Sequence, residues 1–211
     1  MKKRLLIKVC GMRDDVNLLA LGKLYPDFVG MIFYPLSPRY VGEQPTAVQA
    51  APIANAVKTG VFVDAPIETI ADRCHAFGLG CVQLHGHETP AFCQEVRQRT
   101  GCRVIKAISV ADAADIDKAQ AYNGVADYLL FDTKTPKKGG SGQQFDWSLL
   151  DKYEGMTPFF VSGGIDERSL AKLQEHVWPA LVGVDLNSRF ETAPAIKDID
   201  RLKTVFEFLR K

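Results

Sequence analysis

The sequence predicts an α/β protein: a single-domain (β/α)8 barrel over residues 1–211. Three observations carry that expectation. Short apolar, β-branched runs recur eight times along the chain. The segments between them place apolar residues at helical spacing. The runs also end at regular intervals. Taking Cys10, Phe33, Val63, His85, Ala107, Asp132, Ser162 and Asp185 as their ends, the successive steps are 23, 30, 22, 22, 25, 30 and 23 residues. Each step holds one strand, one helix and their connections, with no repetition of sequence. Alternating units of this kind build a parallel sheet, and eight of them suit a closed barrel. A doubly wound open sheet is the alternative, because 211 residues is short for a barrel. No linker, low-complexity tract or domain boundary interrupts the pattern.

The first run is LLIKVC, residues 5–10. Side chains alternate along a strand, so Lys8 and Cys10 share one side, and Gly11 lets the chain turn beyond them. Cys10 is either a small buried hydrophobe or a reactive thiol left uncovered by Gly11. The second run, FVGMIF (28–33), leads into SPRYV (37–41). Arg39 there is either a bidentate clamp for a carboxylate or an ordinary surface arginine. VKTGVFV (57–63) precedes a helix with Ile67, Ile70, Ala71, Cys74 and Phe77 on one face. In CVQLH (81–85), Gln83 and His85 lie opposite Val82 and Leu84.

RVIKAI (103–108) contains Lys106, and DYLLFD (127–132) ends on Asp132 in phase with Leu130. KKGGSGQQFDW (137–147) supplies Gly140 and Ser141 in a glycine-rich loop, either a lid or a plain flexible connection. PFFVSGG (158–164) ends on Gly163 and Gly164 and leads into a helix bearing Asp166 and Glu167. LVGVDL (181–186) contains Asp185 and is followed by Ser188 and Arg189. A last helix is expected to present Ile196, Ile199, Leu202, Phe206 and Leu209 on one face.

In such a barrel the chemistry sits at the C-terminal ends of the strands, and the loops after strands 7 and 8 form its recurrent phosphate site. The polar set in phase along the strands is therefore expected to point inward: Lys8, Cys10, Gln83, His85, Lys106, Asp132 and Asp185. For Lys8 and Lys106 an internal ion pair, such as a lysine with Asp185, stands beside a functional role. Glycines bring backbone N–H groups close to an anion, which makes Gly163, Gly164, Ser188 and Arg189 a candidate sugar-phosphate cradle.

Composition excludes several classes. Lys and Arg total 26 against 25 Asp and Glu, a net +1, without the cationic excess of nucleic-acid or membrane-surface proteins. No apolar run approaches the ~18 residues of a membrane span. Lys8 breaks the apolar part of the N-terminus too early for a signal peptide. Five cysteines and no CxxC fit neither a disulfide framework nor a zinc knuckle. Reduced thiols in the cytoplasm are the expectation. Cys74, Cys81, Cys93 and Cys102 read as packing thiols. In HGHE (85–88), His85 and His87 lack further ligands at a telling spacing, so no metal is expected.

Assembled in order, KVCG, GMIFYPLSPRYV, TGVFVD, VQLHG, DYLLFDT, GGSGQQFDW, VSGGI, GVDLNS and PAIKD closely resemble the phosphoribosylanthranilate isomerases of tryptophan biosynthesis, nearly end to end. The resemblance implies an Amadori rearrangement of N-(5-phosphoribosyl)anthranilate without metal or organic cofactor. It implies Cys10 as general base, Asp132 as general acid, Arg39 on the anthranilate carboxylate, and phosphate held by the loops after strands 7 and 8. Lys8, Gln83, His85 and Asp185 join the expected substrate site; Gly140, Ser141, Gly163, Gly164, Ser188 and Arg189 join the phosphate site. The implied partner is a small molecule, and the implied state is a monomer or homodimer. Arg189 and Ala195 stand where the family usually has glycine.

Acid–base work of this kind calls for opposed shifts: Asp132 raised by burial, and Cys10 lowered by Lys8 or another cation. Another sugar-phosphate barrel, an epimerase or a Schiff-base aldolase using Lys106, is the competing enzyme. A catalytically dead phosphate-binding barrel is the third reading.

Overall fold

The computed structural model describes residues 4–133, 145–173 and 176–211. Eight strands lie in chain order: β1 (Leu6–Val9), β2 (Phe28–Ile32), β3 (Val57–Phe62), β4 (Cys81–Leu84), β5 (Arg103–Val110), β6 (Tyr128–Thr133), β7 (Phe159–Val161) and β8 (Leu181–Leu186). Each pairs in parallel with the next, and β8 returns to β1 through Leu6–Gly183 and Lys8–Asp185. The sheet is closed, which rules out the open doubly wound alternative.

The helices α1 (Asp15–Gly22), α2 (Ala47–Ala50), α3 (Ile67–Phe77), α4 (Pro90–Thr100), α5 (Ala113–Ala119), α6 (Glu167–Leu173) and α7 (Ile199–Leu209) alternate with the strands. A 3-10 helix, Trp147–Lys152, fills the place between β6 and β7. Their boundaries follow from local chemistry. Asp14, Thr89, Asp112 and Asp198 each accept a backbone N–H at a helix start. The left-handed Gly78 and Gly101 end α3 and α4.

Two apolar layers hold the barrel. The larger lies between sheet and helices and includes Val9, Val29, Val82, Val104, Ile108, Phe131 and Val184. The smaller plugs the N-terminal half of the interior with Phe28, Cys81, Ile105, Ala107, Leu130 and Phe160. Phe28 and Phe160 meet edge to face at 5.4 Å. Above this plug the interior turns polar, and there the site lies.

Lys106 departs from expectation. Ile105 and Ala107 take the inward positions of β5, so Lys106 faces the helices with Val104 and Ile108. Its Nζ donates to Glu88 Oε2 at 2.7 Å and to the carbonyls of Leu84 and Gly86. It anchors the β4–α4 connection and lies outside the barrel interior, which leaves a Schiff-base aldolase without its amine. Ile196 also departs, since α7 starts after Asp198. Residues Glu191–Ala193 and Ile196–Lys197 form a small antiparallel hairpin, β9 and β10. Ala195 turns this hairpin at φ 68° with its side chain fully buried. The left-handed backbone costs alanine roughly 1–2 kcal/mol. Burial of its methyl group and glycine's larger entropy loss offset most of that, so alanine is tolerated at this turn.

Candidate active site

Cys10 follows β1 directly, and its N–H donates to Leu186 O on β8. The thiol is 3% exposed. Its room comes from Gly30 on β2, where an added Cβ would lie 2.7 Å from Sγ and 3.1 Å from the Cys10 Cα. Gly11 has a different task from the one expected. At φ 77° it makes room for Arg39 Cδ and Asn187 Oδ1, which an added Cβ would meet at 2.7 and 2.9 Å. It lets these two side chains cross over the strand end and does not uncover the sulfur. Gly30→Ala is expected to lower kcat/KM at least tenfold and stability by roughly 1–3 kcal/mol, the usual cost of overpacking. Turnover and urea unfolding check this; unchanged turnover in a destabilised protein would show that the sulfur's position does not matter.

The expected lowering of Cys10 is also corrected. Burial pushes the thiol above its ordinary value; Lys8 opposes this, Asp185 adds to it, and Lys197 opposes it. The reason is geometric. Lys8 is fully buried beneath the site, and its Nζ donates to Asp185 Oδ1 at 2.9 Å. Asp185 holds Lys8 charged against desolvation. Burial pushes the Asp185 carboxyl up and Lys8 opposes that; the contact is that of an ion pair. Asp185 thus offsets part of the lysine's effect at the sulfur, and burial outweighs what remains. This is the internal pair weighed for Lys8.

Across the barrel, β6 presents Asp132. Its Oδ1 accepts the Thr133 N–H at 2.9 Å, and its Oδ2 lies 3.3 Å from His85 Nε2. His85 Nδ1 is 2.9 Å from Gln83 Nε2. The three side chains form one proton-carrying row along the inner wall. His87, by contrast, is exposed and pairs with Asp64. The two histidines of HGHE diverge, and among the described residues no group of three His, Cys, Asp or Glu is arranged to hold a metal ion.

Arg39 is no surface residue. It is 8% exposed, with Nε donating to both carboxylate oxygens of Glu191 at 2.9 and 3.1 Å and Nη2 donating to Oε2 at 2.6 Å. With that edge fixed, the Nη1–Nη2 edge is the one left for a ligand carboxylate. Lys197 reaches the same Glu191 at 2.6 Å. Neither Glu191 nor Lys197 was anticipated from the sequence. LNSRFE and PAIKD contain them, but no periodicity marks them.

One cleft at the C-terminal ends of the strands is lined by Cys10, Arg39, Gln83, His85, Asp132 and Asp185 on one part of its wall. Gly163, Gly164, Ser188 and Arg189 line another part. Lys8 lies beneath it, while Gly140 and Ser141, with most of the glycine-rich loop, lie outside the described residues. Gly163 and Gly164 both have positive φ, 86° and 64°. Asp166, just ahead of α6, already accepts the Ser169 N–H at 2.9 Å. The helix start is therefore partly capped by a carboxylate, and the glycine turn and the Ser188–Arg189 segment offer the better place for an anion.

Such a cleft can remove a proton on one side, deliver one on the other, and hold an anion at each end of a ligand. The comparisons agree with that capacity. The family described as N-(5′-phosphoribosyl)anthranilate (PRA) isomerase matches residues 7–208. An N-(5′-phosphoribosyl)anthranilate isomerase of Parabacteroides distasonis is 42% identical over 205 residues, covering 96% of this chain and 92% of the relative. The crystal structure of phosphoribosyl anthranilate isomerase from Thermotoga maritima superposes with a TM-score of 0.83 at 31% identity, covering 98% of both chains. Another structure of the enzyme, in complex with reduced 1-(o-carboxyphenylamino)-1-deoxyribulose 5-phosphate, matches at 28% identity, with a TM-score of 0.80 and 98% of each chain covered. The chain belongs to the N-(5′-phosphoribosyl)anthranilate isomerase family.

Proposed function

We propose that this chain converts N-(5-phosphoribosyl)anthranilate to 1-(2-carboxyphenylamino)-1-deoxyribulose 5-phosphate, a step of tryptophan biosynthesis, with Cys10 as general base and Asp132 as general acid. The observation that carries the assignment is that a thiol from β1 and a carboxylate from β6 open on one cleft that also holds Arg39 and the glycine turn after β7.

The proton account is as follows. Asp132 gives a proton to the ribose ring oxygen as the C1–O bond breaks and the nitrogen lone pair forms the C1=N bond. The iminium acidifies C2–H, and the Cys10 thiolate takes that proton. The resulting enolamine ketonises: the C2 hydroxyl loses its proton and C1 gains one. No atoms are gained or lost overall. Arg39 holds the anthranilate carboxylate through its free guanidinium edge. The backbone of Gly163 and Gly164, with Ser188 and Arg189, holds the phosphate. Tethering both ends fixes C2 near the sulfur and the ring oxygen near Asp132, where each proton transfer contributes about 10²–10⁴-fold.

The test is turnover of freshly prepared phosphoribosylanthranilate, followed by the loss of its fluorescence. Steady conversion to the ketose is the expected result. Binding without turnover would leave the dead phosphate-binding barrel standing instead.

A further inference from the structure

Against Gly11, the residue after Cys10, packs a buried cluster of three charges, through Arg39 Cδ and through Asn187, which Lys197 holds. Glu191 on β9 accepts from Arg39 and from Lys197 on β10, at 2.6 Å in each closest contact. The Lys197 side chain is fully buried, and its Nζ also donates to Asn187 Oδ1 at 2.8 Å. The hairpin that carries both residues is tied down. The Ala195 N–H donates to Glu191 Oε1, and Lys197 exchanges backbone hydrogen bonds with the side chain of Asn17 at 2.7 and 2.9 Å. Two cations therefore share one carboxylate, and the cluster carries one net positive charge out of water. Such a charge is costly unless something uses it.

The charged groups that act most on the Cys10 sulfur are Lys8 from its own strand, which also hydrogen-bonds it, Asp185 from β8 and Lys197 from β10. β2 offers only Gly30. The Lys8–Asp185 pair is neutral as a unit, and its two members act on the sulfur in opposite directions. Lys8 outweighs Asp185 there, and Lys197 adds to the positive field from the other side.

We propose that Lys197 is a positioning residue that favours the Cys10 thiolate against burial, and that Glu191 sets how much of the cluster's positive charge the sulfur feels. Lys197 touches no reacting atom; it acts through Cys10. The inference rests on Cys10 being the base, but it can be tested without turnover.

The experiment measures alkylation of Cys10 by iodoacetamide against pH, read on the Cys10 peptide by mass spectrometry. The midpoint of the rate profile reports the field at the sulfur, and the high-pH plateau reports access. Lys197→Met removes the net charge, and its midpoint is expected to rise by about one pH unit, making alkylation about tenfold slower at neutral pH. Glu191→Gln doubles the net charge, and its midpoint is expected to fall. Lys197→Arg is expected to stay near wild type. An unchanged midpoint in Lys197→Met, or midpoints moving in the same direction in both variants, overturns the proposal, since simple loosening of the hairpin has no reason to act with opposite signs. Should Lys197→Met not fold, Glu191→Gln decides by the direction of its midpoint. Failure here leaves the isomerase reading intact, and failure of turnover leaves the midpoints interpretable.

Discussion

Cys10→Ser is expected to lower kcat/KM by about 10²–10⁴-fold while leaving the fold intact. Serine has the geometry of cysteine with a smaller, far less acidic head, so the pocket made by Gly30 accommodates it without strain. What disappears is a group acidic enough to act as an anion in the alkaline range, which a serine hydroxyl is not. The pH profile of the wild type should show why. The deprotonated thiol is the active form, and burial raises the thiol above its ordinary value. Activity governed by this group must therefore rise with pH through the alkaline range, and the limb belonging to it should vanish in the serine variant. Thermal unfolding serves as the control, with the melting temperature expected within a few degrees of wild type. A serine variant within tenfold of wild type would remove Cys10 from the role of base.

The same residue shows what a sequence can and cannot disclose. Strand phase placed Cys10 and Asp132 on inward positions, and the register of the closed sheet puts them on one cleft. The strand runs themselves were legible because a barrel strand is covered on both faces and reads as a nearly unbroken apolar stretch. That same property hid the orientation of Lys106. Val104 and Ile108 on one face of β5 are as apolar as Ile105 and Ala107 on the other, so alternation alone could not say which face looks inward. Lys106 was thus placed with the site although it binds Glu88 behind the sheet.

Glu191 and Lys197 were missed for a different reason. Glu191 meets Arg39 across 152 residues of chain, from a hairpin of three- and two-residue strands too short for any periodic signal. The sign of the Cys10 shift was missed because proximity to Lys8 was legible in strand phase, whereas the depth of burial that outweighs Lys8 was not.

Asp132→Asn is expected to cost about 10²–10⁴-fold in kcat/KM, and the row Gln83–His85–Asp132 explains why the loss should be chemical. As placed, Gln83 Nε2 faces His85 Nδ1, so His85 carries its proton on Nε2 and presents it to Asp132 Oδ2. In this arrangement Gln83 Oε1 is buried with no hydrogen-bond partner. Turning the Gln83 amide over gives that oxygen the His85 Nδ1–H. It also leaves an Nε2 lone pair facing Asp132, the arrangement that a protonated carboxyl would complete as donor. The row therefore accommodates both states of an acid that must give up a proton and regain it each turnover.

Asparagine mimics only the second state, with its Nδ2 donating to His85 Nε2 while Oδ1 keeps the Thr133 N–H. The variant should fold with stability within about 1 kcal/mol of wild type, because one Gln83 polar atom is unpartnered before and after: Oε1 gains His85 as Nε2 loses it. It should still bind the product analogue through Arg39 and the glycine turn, and it should fail at ring opening because an amide has no proton to deliver. Measured together, retained affinity with lost turnover would place the defect on proton transfer. Turnover within tenfold of wild type would assign the acid to another group in the cleft.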